Sequence, residues 1–83
     1  MRVTLRYFAA ARERAGTSVE ALELREGATA ADALAAACAA HPALAPVQDK
    51  LRLAVDQEFS PPGRALHEGA EVALIPPVAG GCR

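Results

Sequence analysis

The chain has no tryptophan and only three aromatic residues, Tyr7, Phe8 and Phe59, among its 83. Its core must be built mainly from aliphatic side chains. Basic residues are not in excess: nine Lys and Arg face ten Asp and Glu, for a net charge of −1. A nucleic-acid partner held through phosphate contacts is not expected on that balance. No apolar run approaches the ~20 residues that cross a bilayer. The alanine-rich stretch from Ala28 to Ala40 is shorter, holds Asp32 and ends at His41-Pro42. Arg2 and Arg6 interrupt the N-terminal pattern and no apolar signal segment follows. Two cysteines, Cys38 and Cys82, do not make a disulfide framework. The expectation is a soluble protein of a reducing cytoplasm with no nucleic-acid and no membrane partner.

Catalytic sets are also missing. His41 and His67 are the only histidines, and no His/Cys metal spacing, phosphate-cradling glycine loop or nucleophile–base pair stands at motif distance. His41, just before Pro42, is expected to meet the exposed carbonyls of a helix end. His67 lies in a polar turn and is expected to be solvated. Cys38 falls on an apolar helix stripe and reads as inert core. Asp56-Gln57-Glu58 reads as a solvated turn, and Arg12, Glu13 and Arg14 as the exposed side of a short helix. No bound cofactor, no metal and no activity of its own are expected.

What the chain has in quantity is alanine, 21 residues, beside 22 larger apolar side chains led by nine leucines and six valines. That supports one modest core and one domain. Val3, Leu5 and Tyr7 alternate with Arg2, Thr4 and Arg6, which predicts a half-buried strand over residues 1–8. Residues 9–15 predict a short helix closed by Gly16. A second strand follows over residues 18–24, antiparallel to the first. Thr29 and Asp32 form a capping pair ahead of the main helix over residues 30–40, with Ala30, Leu34, Ala37 and Cys38 as its inner stripe. A helical turn near Pro46 to Lys50, a strand over Leu51 to Val55 and a short edge segment at Phe59 come next. Ser60-Pro61-Pro62-Gly63 cannot be a central strand. The nearly all-apolar Glu71 to Ile75 is the last strand and suits a central position. The first and last strands can pair in parallel, since the chain between them supplies a long crossover. The fold class is α+β: a ubiquitin-like β-grasp with a mixed sheet of about five strands and one main helix across it. Residues 1–77 form the domain and residues 78–83 a mobile C-terminal tail.

The tail carries the chemistry. Ile75-Pro76-Pro77-Val78-Ala79-Gly80-Gly81 leaves the sheet and reaches two glycines. Without a Cβ, glycine threads channels too narrow for other residues. Residues 78–81 span roughly 13 Å when extended, and Pro76-Pro77 stiffens the base.

These residues resemble the MoaD/ThiS sulfur-carrier family, most closely its molybdopterin synthase small-subunit branch. The resemblance rests on Val3 to Ala9 with Arg12-Glu13 and Gly16-Thr17, on Leu22-Glu23-Leu24 with Glu26-Gly27-Ala28-Thr29, and on Val55-Asp56-Gln57-Glu58. Its most specific part is Gly69 through Gly81, where Glu71-Val72, a short apolar strand and Pro76-Pro77-Val78 lead to Gly80-Gly81. The resemblance implies a cycle. A ubiquitin-activating-like adenylyltransferase uses ATP to adenylate the carboxylate of Gly81, and Gly80 gives access. A sulfur donor turns the acyl-adenylate into a thiocarboxylate. The carrier then docks into the molybdopterin synthase large subunit and passes sulfur to cyclic pyranopterin monophosphate. It implies Phe8, Leu74, Ile75, Pro76, Pro77 and Val78 as the docking surface. The branch that serves thiamin, cysteine or secondary-metabolite synthesis and a ubiquitin-like protein modifier are the alternatives.

Three residues depart from the family pattern. Asp56 stands where Asn is usual, and His67 and Ala70 replace Lys and Asp. Cys82-Arg83 follow Gly81, so Gly81 is an amide as written and cannot be adenylated. Three readings are open: a precursor from which a trimming peptidase removes Cys82-Arg83, a bystander addition, or attack of the Cys82 thiol on the Gly81 carbonyl to give a thioester.

Overall fold

In the computed structural model, which describes residues 1–77, five strands and two α-helices follow the expected order. They are β1 (Arg2–Tyr7), α1 (Ala9–Ala15), β2 (Val19–Glu23), α2 (Ala30–Ala40), β3 (Arg52–Val55), β4 (Glu58–Phe59) and β5 (Glu71–Ile75). A 3₁₀ segment, Pro42–Lys50, joins α2 to β3. It is longer than the single turn expected from the sequence. Pro42 at its start presets the backbone, and Pro46 inside it prevents a regular α-helix. The tail expected over residues 78–83 lies outside the described residues.

The sheet order is β2-β1-β5-β3-β4. Strands β1 and β5 pair in parallel, with Leu5 beside Val72 and Tyr7 beside Leu74. The β1–β2, β3–β5 and β3–β4 pairs are antiparallel. This is the expected β-grasp, with the last strand at the centre.

Alternation sorts each strand into two faces. Val3, Leu5, Tyr7, Leu53, Val55, Val72 and Leu74 form the inner face and pack with the helices. Helix α2 lies over them with Ala30, Ala33 and Ala37 fully buried. The inner stripe is therefore centred on Ala33, and Leu34 and Cys38 are only partly buried at its flank. Alanine is the reason: with no side chain beyond Cβ, the helix packs close on its alanine line and the longer residues move aside.

Thr29 caps α2 as expected. Its Oγ1 accepts from the Asp32 amide at 3.4 Å, and the Asp32 carboxylate accepts from the Thr29 amide at 2.9 Å. That hydrogen bond holds the Asp32 carboxyl below its ordinary range. The Pro-rich loop has a role its sequence did not disclose. The Arg64 carbonyl accepts from the Ala30 amide at 2.9 Å and the Pro62 carbonyl from the Ala31 amide at 2.8 Å. The first amides of α2, which have no partner inside the helix, are thereby satisfied. At the other end of α1, Gly16 adopts φ 78° and its amide reaches the Arg12 carbonyl at 2.9 Å.

Replacing Thr29 with Ala should lower the unfolding free energy by about 1 kcal/mol, the usual cost of losing such a cap. Urea denaturation of the two proteins measures it.

Candidate functional site

Tyr7 and His41 differ in chemistry but meet at one carboxylate. The Tyr7 hydroxyl donates to Glu20 Oε1 at 2.8 Å, and His41 Nε2 lies 2.9 Å from the same oxygen. The two rings pack edge to face with centroids 5.7 Å apart. Burial, and next the Glu20 carboxylate, push the Tyr7 phenol above its ordinary pKa. The His41 and Tyr7 hydrogen bonds hold Glu20 below its own. His41 thus departs from the sequence expectation: its side chain turns from the helix-end carbonyls to Glu20. Leu5 pairs with Glu20, which places that carboxylate on the inner face at the sheet edge. The cluster ties β1, β2 and the end of α2 together.

A second cluster closes the far end of β5. Asp56 and Gln57 both take positive φ, 52° and 72°, in the two-residue turn between β3 and β4. Such a turn matches strand twist and favours Asn or Asp at its first position. Asp56 Oδ1 accepts from the Glu71 amide at 3.1 Å, and Oδ2 lies 2.7 Å from His67 Nε2. His67 Nδ1 lies 2.9 Å from the Glu68 carbonyl. His67 is exposed, as expected, but it is bonded at both nitrogens. Both partners are acceptors, so the imidazolium satisfies them best. Asp56 and then the Glu68 carbonyl raise the His67 pKa, while His67 and the Glu71 amide lower that of Asp56.

Cys38, half-buried on α2, has its thiol pKa raised by burial. Among the described residues no group of three or more His, Cys, Asp or Glu is placed to hold a metal ion.

The outer face of the sheet is different in kind. Arg6, Ala73, Ala54 and Phe59 lie side by side across β1, β5, β3 and β4, and Ile75 lies beside Arg52 one row on. Ala54 and Ala73 form a low floor. Phe8, Phe59 and Ile75 rise around it and enclose a recess of about 220 Å³. Phe8 is 41% and Phe59 61% exposed, large values for phenylalanine. The Arg6 guanidinium lies 5.8 Å from the Phe8 ring and that of Arg52 4.7 Å from the Phe59 ring. Arg6 also pairs with Glu71 at 3.4 Å. An apolar centre with a charged rim has the anatomy of a protein interface.

The structure sorts the expected docking residues. Phe8 and Ile75 share this outer face, whereas Pro76 and Pro77 line a separate recess with Ala10, Ala11 and Arg14 of α1. Leu74 does not belong: it is 0% exposed, on the inner face beside Tyr7 and Leu53. Pleating is the reason, since neighbours on β5 point to opposite faces. Val78, Gly80 and Gly81 lie outside the described residues. Phe59, Ala54 and Ala73 were missed. Their signals were an aromatic isolated among polar residues and a lone alanine inside each of two branched-residue strands.

A central strand that leads out of a mixed sheet, crossed by one helix and backed by an open apolar face, defines a small ubiquitin-like β-grasp protein. The chain belongs to the ThiS family, whose model matches residues 5–81. It is 45% identical over 83 residues to the molybdopterin synthase sulfur carrier subunit of Chlamydomonas reinhardtii, with 98% of this chain and 100% of the relative covered. Among solved structures it resembles the small archaeal modifier protein 1 of Haloferax volcanii, with a TM-score of 0.86 and 32% identity over 93% of this chain and 98% of that one. The fold is shared too by a protein–protein complex of subunits 1 and 2 of the molybdopterin-converting factor from Helicobacter pylori. There the TM-score is 0.70 at 20% identity, over 98% of this chain and 100% of that one.

Leu74→Ala should cost about 2–5 kcal/mol in urea denaturation, as core truncations do, whereas Phe59→Ala should stay within about 0.5 kcal/mol of the parent. The Asp56–His67 bond should stabilise the fold between the ordinary carboxylate and imidazole ranges, from pH ~4 to ~6.5. Its contribution falls as pH rises through the raised His67 pKa, and as pH drops through the lowered Asp56 pKa. His67→Ala should therefore destabilise the protein more at pH ~5 than at pH ~9, as denaturation at both values will show.

Proposed function

We propose that the chain is the sulfur carrier of molybdopterin synthesis, working through a thiocarboxylate at Gly81. The observation that carries this reading is the 45% identity, over essentially the whole chain, to a protein of that name. The family match ends at Gly81 and leaves Cys82 and Arg83 beyond it. Trimming of those two residues by a peptidase, the first of the three readings, therefore precedes loading. The freed carboxylate attacks the α-phosphorus of ATP on a ubiquitin-activating-like adenylyltransferase, and pyrophosphate leaves. A sulfur donor then displaces AMP to give the thiocarboxylate. A carboxylate resists nucleophiles, and the adenylate supplies its missing leaving group.

The same surface serves docking to the large subunit. Phe8, Phe59 and Ile75 bury apolar area around the alanine floor, and Pro76, Pro77 and Val78 direct Gly80-Gly81 toward the partner's site. Exposed aromatic side chains in such a setting supply most of the binding energy of an interface. A ubiquitin-like modifier is the second reading, favoured by the 32% identity to a small archaeal modifier protein. On that reading Gly81 forms isopeptide bonds with lysines.

Intact-mass spectrometry of the protein from its own cell separates these readings. The sulfur carrier appears without Cys82-Arg83, and a fraction is heavier by the difference between sulfur and oxygen. A chain that always keeps Cys82-Arg83 and never gains sulfur overturns the proposal. Branched glycyl-lysine peptides in a digest would establish the modifier instead. Phe8→Ala with Phe59→Ala should weaken large-subunit binding at least ~100-fold, about 2.7 kcal/mol, with the fold retained.

A further inference from the structure

A second recess lies at the base of the tail and shares no residue with the outer-face recess. It also measures about 220 Å³, and α1 lines it with Ala10, Ala11 and Arg14. Val47 and Lys50 of the 3₁₀ segment line it with Leu51, the residue just before β3, and Pro76 and Pro77 complete it. Its walls are mainly apolar, because α1 places alanines there and Pro76 and Pro77 carry no amide N–H. Its charged lining residues, Arg14 and Lys50, are both cations.

The charges matter because the protein pairs most of its others. Arg2, Arg6, Arg25 and Arg64 each lie within ion-pair distance of a Glu or Asp. Among the described residues Arg12, Arg14, Lys50 and Arg52 have no such partner, and of these Arg14 and Lys50 line the recess. Arg14 is held in place all the same, since its Nη1 donates to the Ala43 carbonyl at 2.9 Å. That bond leaves the other guanidinium N–H groups for a ligand.

We infer that this recess is a second docking site, for an acidic segment of a partner protein that anchors one bulky aliphatic side chain between Arg14 and Lys50. The apolar walls take the anchor and the two cations take flanking carboxylates. The recess is open along one side, which suits a polypeptide better than a small ligand that must be mostly enclosed. Its continuity with Pro76-Pro77 places the partner beside the residues that lead to Gly81. A protein bound here leaves Phe8 and Phe59 uncovered but covers Pro76 and Pro77. In its placement beside the tail the inference rests on the sulfur-carrier reading, but its test needs no sulfur loading.

The test is a titration of the ¹⁵N-labelled full chain, followed by amide shifts, with the peptide acetyl-Asp-Glu-Leu-Leu-Asp-Glu-amide. Shifts should concentrate at Ala10, Ala11, Val47 and Leu51 and leave Ala54 and Ala73 unmoved. They should vanish when each acid of the peptide is replaced by Lys, and also when each Leu is replaced by Ser. The double variant Arg14→Glu, Lys50→Glu should weaken binding about ten-fold or more, with its spectrum still that of a folded protein. Phe8→Ala with Phe59→Ala should leave the peptide affinity unchanged, which separates this site from the large-subunit face. Absence of shifts at millimolar peptide overturns the inference, as does equal response to the lysine peptide. Shifts of the same amides with protein concentration alone would assign the recess to a second copy and overturn it too.

Discussion

The parallel pairing of β1 with β5 is the interaction on which the rest of the structure depends. A parallel pair cannot be closed by a tight turn, so the chain between the two strands must cross the sheet. Helix α2 is that crossing, and its burial against the sheet creates the core. With β1 on one side and β3 on the other, β5 is bonded along both edges. Pro76 and Pro77 therefore follow directly on the central strand of the sheet.

Alanine decides how the two faces of that sheet differ. On the inner side Ala30, Ala33 and Ala37 bring α2 close to valines and leucines. On the outer side Ala54 and Ala73 lower the middle of the sheet and leave Phe8, Phe59 and Ile75 standing around it. The same small residue therefore tightens the core and shapes a recess. Arg6 and Arg52 keep that apolar patch rimmed with charge, which limits non-specific association.

Most of the fold was legible because its signals are local. Strand alternation over Arg2–Tyr7, the Thr29–Asp32 cap and Gly16 after Ala15 each follow from short-range chemistry, and the order of the elements then implied the parallel pair. What escaped depends on contacts between distant residues. Leu74 and Ile75 are equally apolar in sequence, and only the pleat of β5 decides which faces a partner. His41 stands at a helix end, but Glu20, 21 residues earlier, captures its side chain. Ala54 and Ala73 are each a lone alanine in an apolar strand, a signal too weak to mark a recess, because a recess is a property of neighbours on three strands. The candidate docking face was half visible for the same reason: Phe8, Ile75 and the prolines lie in recognisable segments, whereas Phe59 acquires its meaning only from its place beside Ala54.

The ionisable groups explain why such a domain would bind partners and leave chemistry to them. Among the described residues, each cluster of perturbed groups is closed upon itself. Glu20 accepts from Tyr7 and meets His41, Asp56 is shared between His67 and the Glu71 amide, and Asp32 is taken by Thr29 and Arg25. These bonds fix strand edges, a turn and a helix start. A group already committed to a structural bond is poorly placed to move a proton for a substrate, because the bond would have to break first. On the proposed reading the reacting group is Gly81 once Cys82-Arg83 are removed, and the acid, base and leaving group it needs come from the proteins that hold it.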